Sequence, residues 1–422
     1  MPRRRRKRGL EILPLRGRGS QRLPSGMPIP SERRDLYQRW LCEITRLPTA
    51  AGHEQRVIEW IDRWVQQRPD LWLERDIHGN LVVRPREQWG SGEAPVFITA
   101  HLDHPAFVVE RVLEGGEVEL TFRGGVMDDY FFDAPITIYR GHERMVRATV
   151  LRKADGVQEP LKRWVARLDS GGAVSVGDIA TWTLPGQEVI DGVLHTNACD
   201  DLAAVAAAIA TMEELRLAHE AGTPSLDVRL LFTRAEEIGF LGAIGACIEK
   251  TMPAESRVIA LENSRSFADS PIGGGPIVRV GDRVSVFTPE LTGAVAKVAE
   301  DIAGGPAIPL ASQKYAEGPQ WRWQRKLMAG GACEASVFCT YGYQATCVCL
   351  PLGNYHNMGD LEAVQAGKNT SRPRVGREHI ALSDYFGMIE LLVGCGQQLP
   401  DRPPFKQRVE KLWSDLAFVL GS

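Results

Sequence analysis

Four short apolar runs in this chain each lead into a residue able to bind a metal ion. That repetition constrains the fold more than any other feature. Ala94 to Ala100 leads into His101, and Asp227 to Thr233 leads into Glu236 and Glu237. Arg257 to Leu261 leads into Glu262, and Ala345 to Pro351 leads into Gly353-Asn354-Tyr355-His356. Each run has the length and composition of a buried strand. A fifth candidate, Asp200, precedes the alanine-rich, strongly helix-forming run Leu202 to Ala210. Strand-type runs alternating with helical patterns place the chain in the α/β class. In open α/β sheets, sites lie outside the carboxyl ends of the strands. Residues far apart in sequence are therefore expected at one rim. Taken singly, each has a plainer reading: His101-Leu102-Asp103-His104 as a polar strand end, or Asp200 as a helix cap. Five in this arrangement do not reduce to that.

The rest of the chain supplies the scaffold. Its 422 residues are 44% hydrophobic, enough for a large core and for more than one domain. Leu36, Trp40, Leu41 and Ile44, then Val57, Ile58, Ile61 and Trp64, recur at helical spacing. Between about 106 and 190 the texture changes to short alternating strands punctuated by glycine, such as Glu117 to Leu120 and Ile136 to Tyr139. This reads as a small β-barrel or sandwich inserted into a catalytic domain formed by 31–105 and 191–422. Met127-Asp128-Asp129-Tyr130 within it reads as an acidic turn rather than a metal site. Leu291 to Ile302, Ser383 to Leu392 and Phe405 to Leu420 read as helices. Trp321-Arg322-Trp323-Gln324-Arg325-Lys326 mixes aromatic and basic residues and reads as a partly packed loop rather than an RNA contact.

Bulk properties exclude several functions. The net charge of -3 gives the molecule no polyanion-binding signature. No stretch reaches the ~18 apolar residues of a membrane span. Residues 1–30 open with Met-Pro-Arg-Arg-Arg-Arg-Lys-Arg and are rich in Arg, Gly and Pro. They read as a disordered, solvated tail in preference to a nucleic-acid tether. The tail lacks the apolar core of a secretory signal. The eight cysteines follow no CxxC pattern and read as reduced thiols of a cytoplasmic protein.

Two histidines and several carboxylates suit two divalent cations, zinc first, with cobalt or manganese as alternatives. Two ions ~3.5–4 Å apart need a bridging group, and a short rigid aspartate serves. Asp200 is thus expected to bridge. His101 and Glu262 complete one position, and Glu237 and His356 the other. Glu236 is left as general base for the shared water, and Asp103 orients His101. Neighbours on a strand face opposite ways, which separates Glu236 from Glu237.

The motifs Ala100-His101-Leu102-Asp103, Cys199-Asp200-Asp201, Glu236-Glu237-Ile238-Gly239 and Gly353-Asn354-Tyr355-His356 together resemble the M42 family of dinuclear metallo-aminopeptidases, within the wider M20/M28/M42 clan. Val176-Gly177-Asp178 and the segment Gly273 to Asp282 are similar to further M42 segments. The resemblance implies a three-layer α/β/α sandwich with a mixed sheet, plus the inserted β domain, through which homo-oligomers form. It implies removal of N-terminal residues from peptides. Four departures stand out: His104 where the family commonly has glutamate, Glu262 where it usually has aspartate, Ala332-Cys333-Glu334-Ala335 in place of Gly-Thr-Asp-Ala, and Asn354-Tyr355 before the last histidine. The alternatives are an amidohydrolase or deacylase of the same clan, and a non-catalytic metal-binding homologue.

Overall fold

The computed structural model describes residues 28–90, 94–141, 144–154, 160–169, 172–307, 321–400 and 404–421. Two amphipathic helices open it: α1 (Ser31–Ile44) buries Tyr37, Trp40, Leu41 and Ile44, and α2 (Gln55–Gln66) buries Val57, Ile58, Ile61, Trp64 and Val65. A hairpin of β1 (Leu71–Arg75) and β2 (Leu81–Pro85) leads into β3 (Val96–His101), buried along its whole length. Six strands then close into an antiparallel barrel: β4 (Ala106–Val112), β5 (Glu117–Arg123), β6 (Pro135–Arg140), β7 (Arg144–Lys153), β8 (Lys162–Leu168) and β9 (Ile179–Trp182). Closure leaves no free edge. Phe107, Phe122, Phe131, Trp164 and Trp182 fill the barrel, with Phe131 stacked on Trp164 at 4.2 Å.

After β10 (Glu188–Ile190) and β11 (Val193–Thr196), the chain alternates. It runs α3 (Leu202–Glu220), β12 (Val228–Thr233), α4 (Leu241–Ile248), β13 (Arg257–Arg265), β14 (Ile277–Asp282), α5 (Pro289–Ala303), β15 (Gln324–Met328), α6 (Glu334–Thr340) and β16 (Gln344–Leu352). A short helix α7 (Leu361–Gln365), strand β17 (Glu378–Ala381) and helices α8 (Leu382–Gln397) and α9 (Pro404–Leu416) finish it. The main sheet has the order β1-β2-β12-β3-β13-β16-β14-β15. Its four middle strands, β12, β3, β13 and β16, are mutually parallel, and the flanking pairs β2–β12 and β14–β16 are antiparallel.

Strand alternation sorts side chains onto the two faces. Val96, Ile98, Ala100, Leu230, Ile259 and Leu261 pack with α1, α2, α3, α5 and α8. Phe97, Leu231, Val258 and Ala260 pack with α4 and α6 on the other side. The result is the expected three-layer α/β/α sandwich with a mixed sheet and a separate barrel. Because the four middle strands run the same way, their carboxyl ends share one rim.

Three local expectations differ. Gln324–Met328 is an edge strand parallel to β14, not a loop. Its charged side chains suit an edge, where they discourage further pairing. β13 continues past Leu261 to Arg265, so Glu262 lies within the strand. The basic tail falls outside the described residues up to 27, while Ile29 is already packed in the core. The Met127 to Tyr130 segment is a turn whose Asp128 binds Lys153 at 2.8 Å and Lys162 at 2.7 Å. All eight cysteines are free. Among the described residues, no helix is long and apolar enough to cross a membrane.

Candidate metal centre

His101 ends β3, and its Nδ1–H donates to the main-chain oxygen of Asp103 at 3.1 Å. That leaves Nε2 to face the rim, 3.4 Å from Asp200 Oδ1 and 3.8 Å from Glu236 Oε2. His356 is set the same way from another direction. Its Nδ1–H donates to the carbonyl of Gly125, in the segment joining β5 to β6, at 2.7 Å. Its Nε2 lies 3.4 Å from Asp200 Oδ2 and 3.3 Å from Glu237 Oε1. Fixing one ring nitrogen by hydrogen bond fixes which one is free to ligate. The two oxygens of Asp200 therefore face two different histidines.

Ligating atoms within 4.8 Å of one another form three overlapping groups: His101, Asp200, Asp201 and Glu262; His101, Glu236 and Glu237; and Asp200, Glu237 and His356. Six expected residues, His101, Asp200, Glu236, Glu237, Glu262 and His356, are thus brought together, with Asp103 just behind. Glu262 shares the sheet face of Val258 and Ala260, the face that also carries Phe97 and, by alternation, His101. The peptide between Asp200 and Asp201 is cis.

The orientations of Glu236 and Glu237 do not come from strand alternation, which the sequence suggested would separate them. β12 stops at Thr233, and Glu236 and Glu237 lie in a loop bounded by Ala235 at φ 54° and Phe240 at φ 60°. Buried carboxylates shape that loop. Glu54 binds the Arg234 side chain and accepts the Ala235 amide at 3.1 Å. Asp103 accepts the amides of Glu236 at 2.9 Å and Glu237 at 3.1 Å. Its carboxylate also stands 3.5 Å from His101 Nδ1, so Asp103 braces the loop as well as the histidine.

Sequence reasoning missed three residues. Asp201 precedes α3 without capping it; instead it accepts the His101 amide at 3.2 Å and the Asn263 side chain at 2.7 Å. Glu378 accepts the amides of Cys199, Asp200 and His356. His104, noted only as a departure, spans Asp200 and Asn357. Each binds at least one main-chain group, which no sequence spacing announces.

The electrostatics favour cations. Burial pushes the carboxyls of Glu236, Glu262 and Asp201 well up, and neighbouring carboxylates add to it. Burial works against the charged forms of His101 and His356 too, yet the surrounding carboxylates raise both well above the usual imidazole value. Asp200 is held below the usual range in spite of its burial, by the two neighbouring imidazoles of His101 and His356. Asp200 Oδ1 and Glu237 Oε1 are buried without a hydrogen-bond partner. A crowd of buried carboxylates with orphaned oxygens is costly unless positive charge is supplied. The residues present fit divalent metal ions.

A model of the M42 glutamyl aminopeptidase family matches residues 79–369. The chain belongs to that family. Membership places it among the metal-dependent hydrolases of peptide bonds. Solved structures that resemble this M42 chain include an aminopeptidase from the archaeon Desulfurococcus kamchatkensis, at 17% identity and TM-score 0.67, over 89% of this chain and 98% of that one. The TET1 peptidase of Pyrococcus horikoshii, which assembles into a tetrahedron or a large octahedral shell, matches at 20% identity and TM-score 0.64, over 86% and 100%. A TET aminopeptidase from Thaumarchaeota archaeon SCGC AB-539-E09 matches at 16% identity and TM-score 0.66, over 86% and 97%. At these identities the likeness establishes the fold. No curated protein matches the chain significantly.

Proposed function

We propose that this chain is a dinuclear metallo-aminopeptidase of the cytoplasm, working as a homo-oligomer on short peptides with a free N-terminus. The observation that carries the reading is Asp200, whose two oxygens face His101 and His356 at 3.4 Å each. His101, Asp200 and Glu262 would hold one ion, and Asp200, Glu237 and His356 the other. Zinc suits this nitrogen and oxygen set, as do cobalt and manganese. When bound, such ions polarise a carbonyl and acidify a shared water. Glu236 stands at the same rim without being needed as a ligand. Its place 3.8 Å from the His101 ring suits it to take a proton from the attacking water and give it to the departing amine. Asp103 keeps Glu236 and Glu237 apart by holding their amides.

A cavity beside the centre supports a reading of which first residue is taken. A cavity of about 430 Å³ opens beside Glu262, walled by both the sheet and the barrel. Arg279, Arg265 and Lys162 line it. Arg279 is 2% exposed and donates to Ser264 Oγ, and among the described residues no carboxylate forms an ion pair with it. A buried guanidinium that feels the Glu262 carboxylate but forms no ion pair with it suits a further anionic ligand. The cavity therefore favours an acidic N-terminal residue, in keeping with the glutamyl description of the family.

One experiment addresses both points. Release of the first residue is followed from peptides beginning with Glu, Gln, Leu or Lys, with and without an N-terminal acetyl group. Glu should be preferred, and acetylation should abolish turnover. Equal turnover of acetylated peptides moves the assignment to the deacylases of the clan. Glu236→Gln should keep both ions and lose roughly 10²–10⁴ in rate.

A further inference from the structure

Asp200 and His356 reach the rim on loops rather than on strands. Asn354, His356 and Asn357 lie at φ of 54°, 55° and 62°, a region unfavourable to residues with a side chain. Such a backbone persists only where its surroundings hold it. Two buried side chains from distant parts of the chain do so. Glu378, at the start of β17, is fully buried. One of its oxygens accepts the amides of Cys199 at 2.6 Å and Asp200 at 3.0 Å, and the other accepts the amide of His356 at 2.8 Å. His104 is also buried. Its Nδ1–H donates to the carbonyl of Asp200 in a short bond, and its Nε2 lies 3.0 Å from Asn357 Oδ1. Asn357 is oriented in turn by donating to the carbonyls of Asn197 and Gly376. The Asp200 main chain is thus gripped at its amide by one residue and at its carbonyl by the other. Both residues continue to the His356–Asn357 turn.

We propose that His104 and Glu378 are a pair of positioning residues that fix the separation of Asp200 from His356, and with it the metal position built from Asp200, Glu237 and His356. The proposal rests on the dinuclear reading above. Neither side chain belongs to the ligand groups, so both act through other residues. The position built from His101, Asp200 and Glu262 shares Asp200 but depends on them less, since its other two ligands are held elsewhere. His101 ends a fully paired strand and Glu262 lies inside one, so sheet hydrogen bonds already hold both.

The test is a calorimetric titration of zinc alone into the metal-free parent, Glu378→Gln, His104→Gln and the double variant. Bound zinc is counted by elemental analysis, and thermal unfolding of each metal-free form is recorded. Glu378→Gln keeps the side-chain volume and removes one acceptor. The parent should take two zinc ions. Each single variant should keep the tighter event and weaken the other by about 10–100-fold. Because both residues brace one spacing, the double variant should lose less than the two singles combined. Variants that bind two ions with parental affinity, even at a lower melting temperature, overturn the proposal, since the role is then structural only. Equal weakening of both events also overturns it. A parent that takes fewer than two ions overturns the dinuclear reading itself, and the proposal with it. Should Glu378→Gln fail to fold, His104→Gln alone carries the same outcomes.

Discussion

Replacing Asp103 by asparagine isolates the brace under the acidic pair. Asp103 is fully buried, and each of its oxygens accepts one amide, from Glu236 at 2.9 Å and from Glu237 at 3.1 Å. Asparagine offers one acceptor and one NH₂ group. Whichever way it turns, one of the two amides meets a donor. A hydrogen bond to a charged group contributes about 1.5–3 kcal/mol, and a buried donor left without a partner costs about 1–3 kcal/mol. These overlap, since one event causes both, so Asp103→Asn should destabilise the metal-free protein by about 2–3 kcal/mol. The released amide belongs to the proposed base or to a proposed ligand. Misplacing either by about an ångström should reduce turnover roughly 10²-fold. The assay is equilibrium urea unfolding of metal-free parent and variant, followed by kcat and KM with metal restored. The loss is expected in kcat. A variant with the parent's unfolding midpoint and kcat would refute the brace. Lost stability with unchanged kcat would leave Asp103 a role in folding alone.

Two further outcomes follow from the same scaffold. A Cβ on Gly242 would stand 2.4 Å from the Arg234 nitrogen and 2.5 Å from its oxygen. Alanine normally favours a helix by about 1 kcal/mol, but overpacking against backbone costs about 1–3 kcal/mol. Gly242→Ala should therefore lower the urea midpoint, and kcat with it, because the displaced loop carries Glu236 and Glu237. Asp384 accepts the amides of Gly273 and Gly275, and burial raises its pKa from 3.8 to about 6. The folded value lies above the unfolded one, so the unfolded chain gives up this proton first. Stability from this group should fall as pH rises from about 4 to about 6, by on the order of 3 kcal/mol in total. Asp384→Asn removes that slope, so the parent's stability relative to the variant should shrink between pH 4.5 and pH 7. A constant difference across that range would show that the carboxyl is not perturbed.

The convergence of the candidate ligands was legible because strands deliver side chains by rule. A run of apolar residues long enough for one strand, ending in His101, fixes where that histidine emerges. Four such runs in parallel fix the rim. Glu262 was legible for a slightly different reason than expected: alternation within β13 puts it on the face of Val258 and Ala260, even though the strand continues past it. The edge strand Gln324–Met328 was not legible, because a charged edge strand and a polar loop carry the same composition. Nor was the three-stranded sheet of β10, β11 and β17, whose strands are too short to show a period. Glu378 was hidden by the nature of its partners. It recognises three amides, and every residue but proline has one.

The acidic pair shows where the rule for strands gives out. Alternation predicted that Glu236 and Glu237 face apart, and the two do meet different histidines. The cause lies elsewhere. The pair sits beyond the strand, in a loop whose shape is imposed by Asp103, by Glu54 and by the close approach of Gly242. A strand neighbour needs only its own backbone to face correctly. A loop residue needs partners, and here those partners are buried carboxylates on other segments. The proposed general base and its neighbouring ligand should therefore be more sensitive to remote substitutions than His101 or Glu262. The same asymmetry holds at His356, whose turn depends on Glu378 and His104. The fragile half of the proposed centre is the half carried by loops, and substitutions behind it should release one ion before the other.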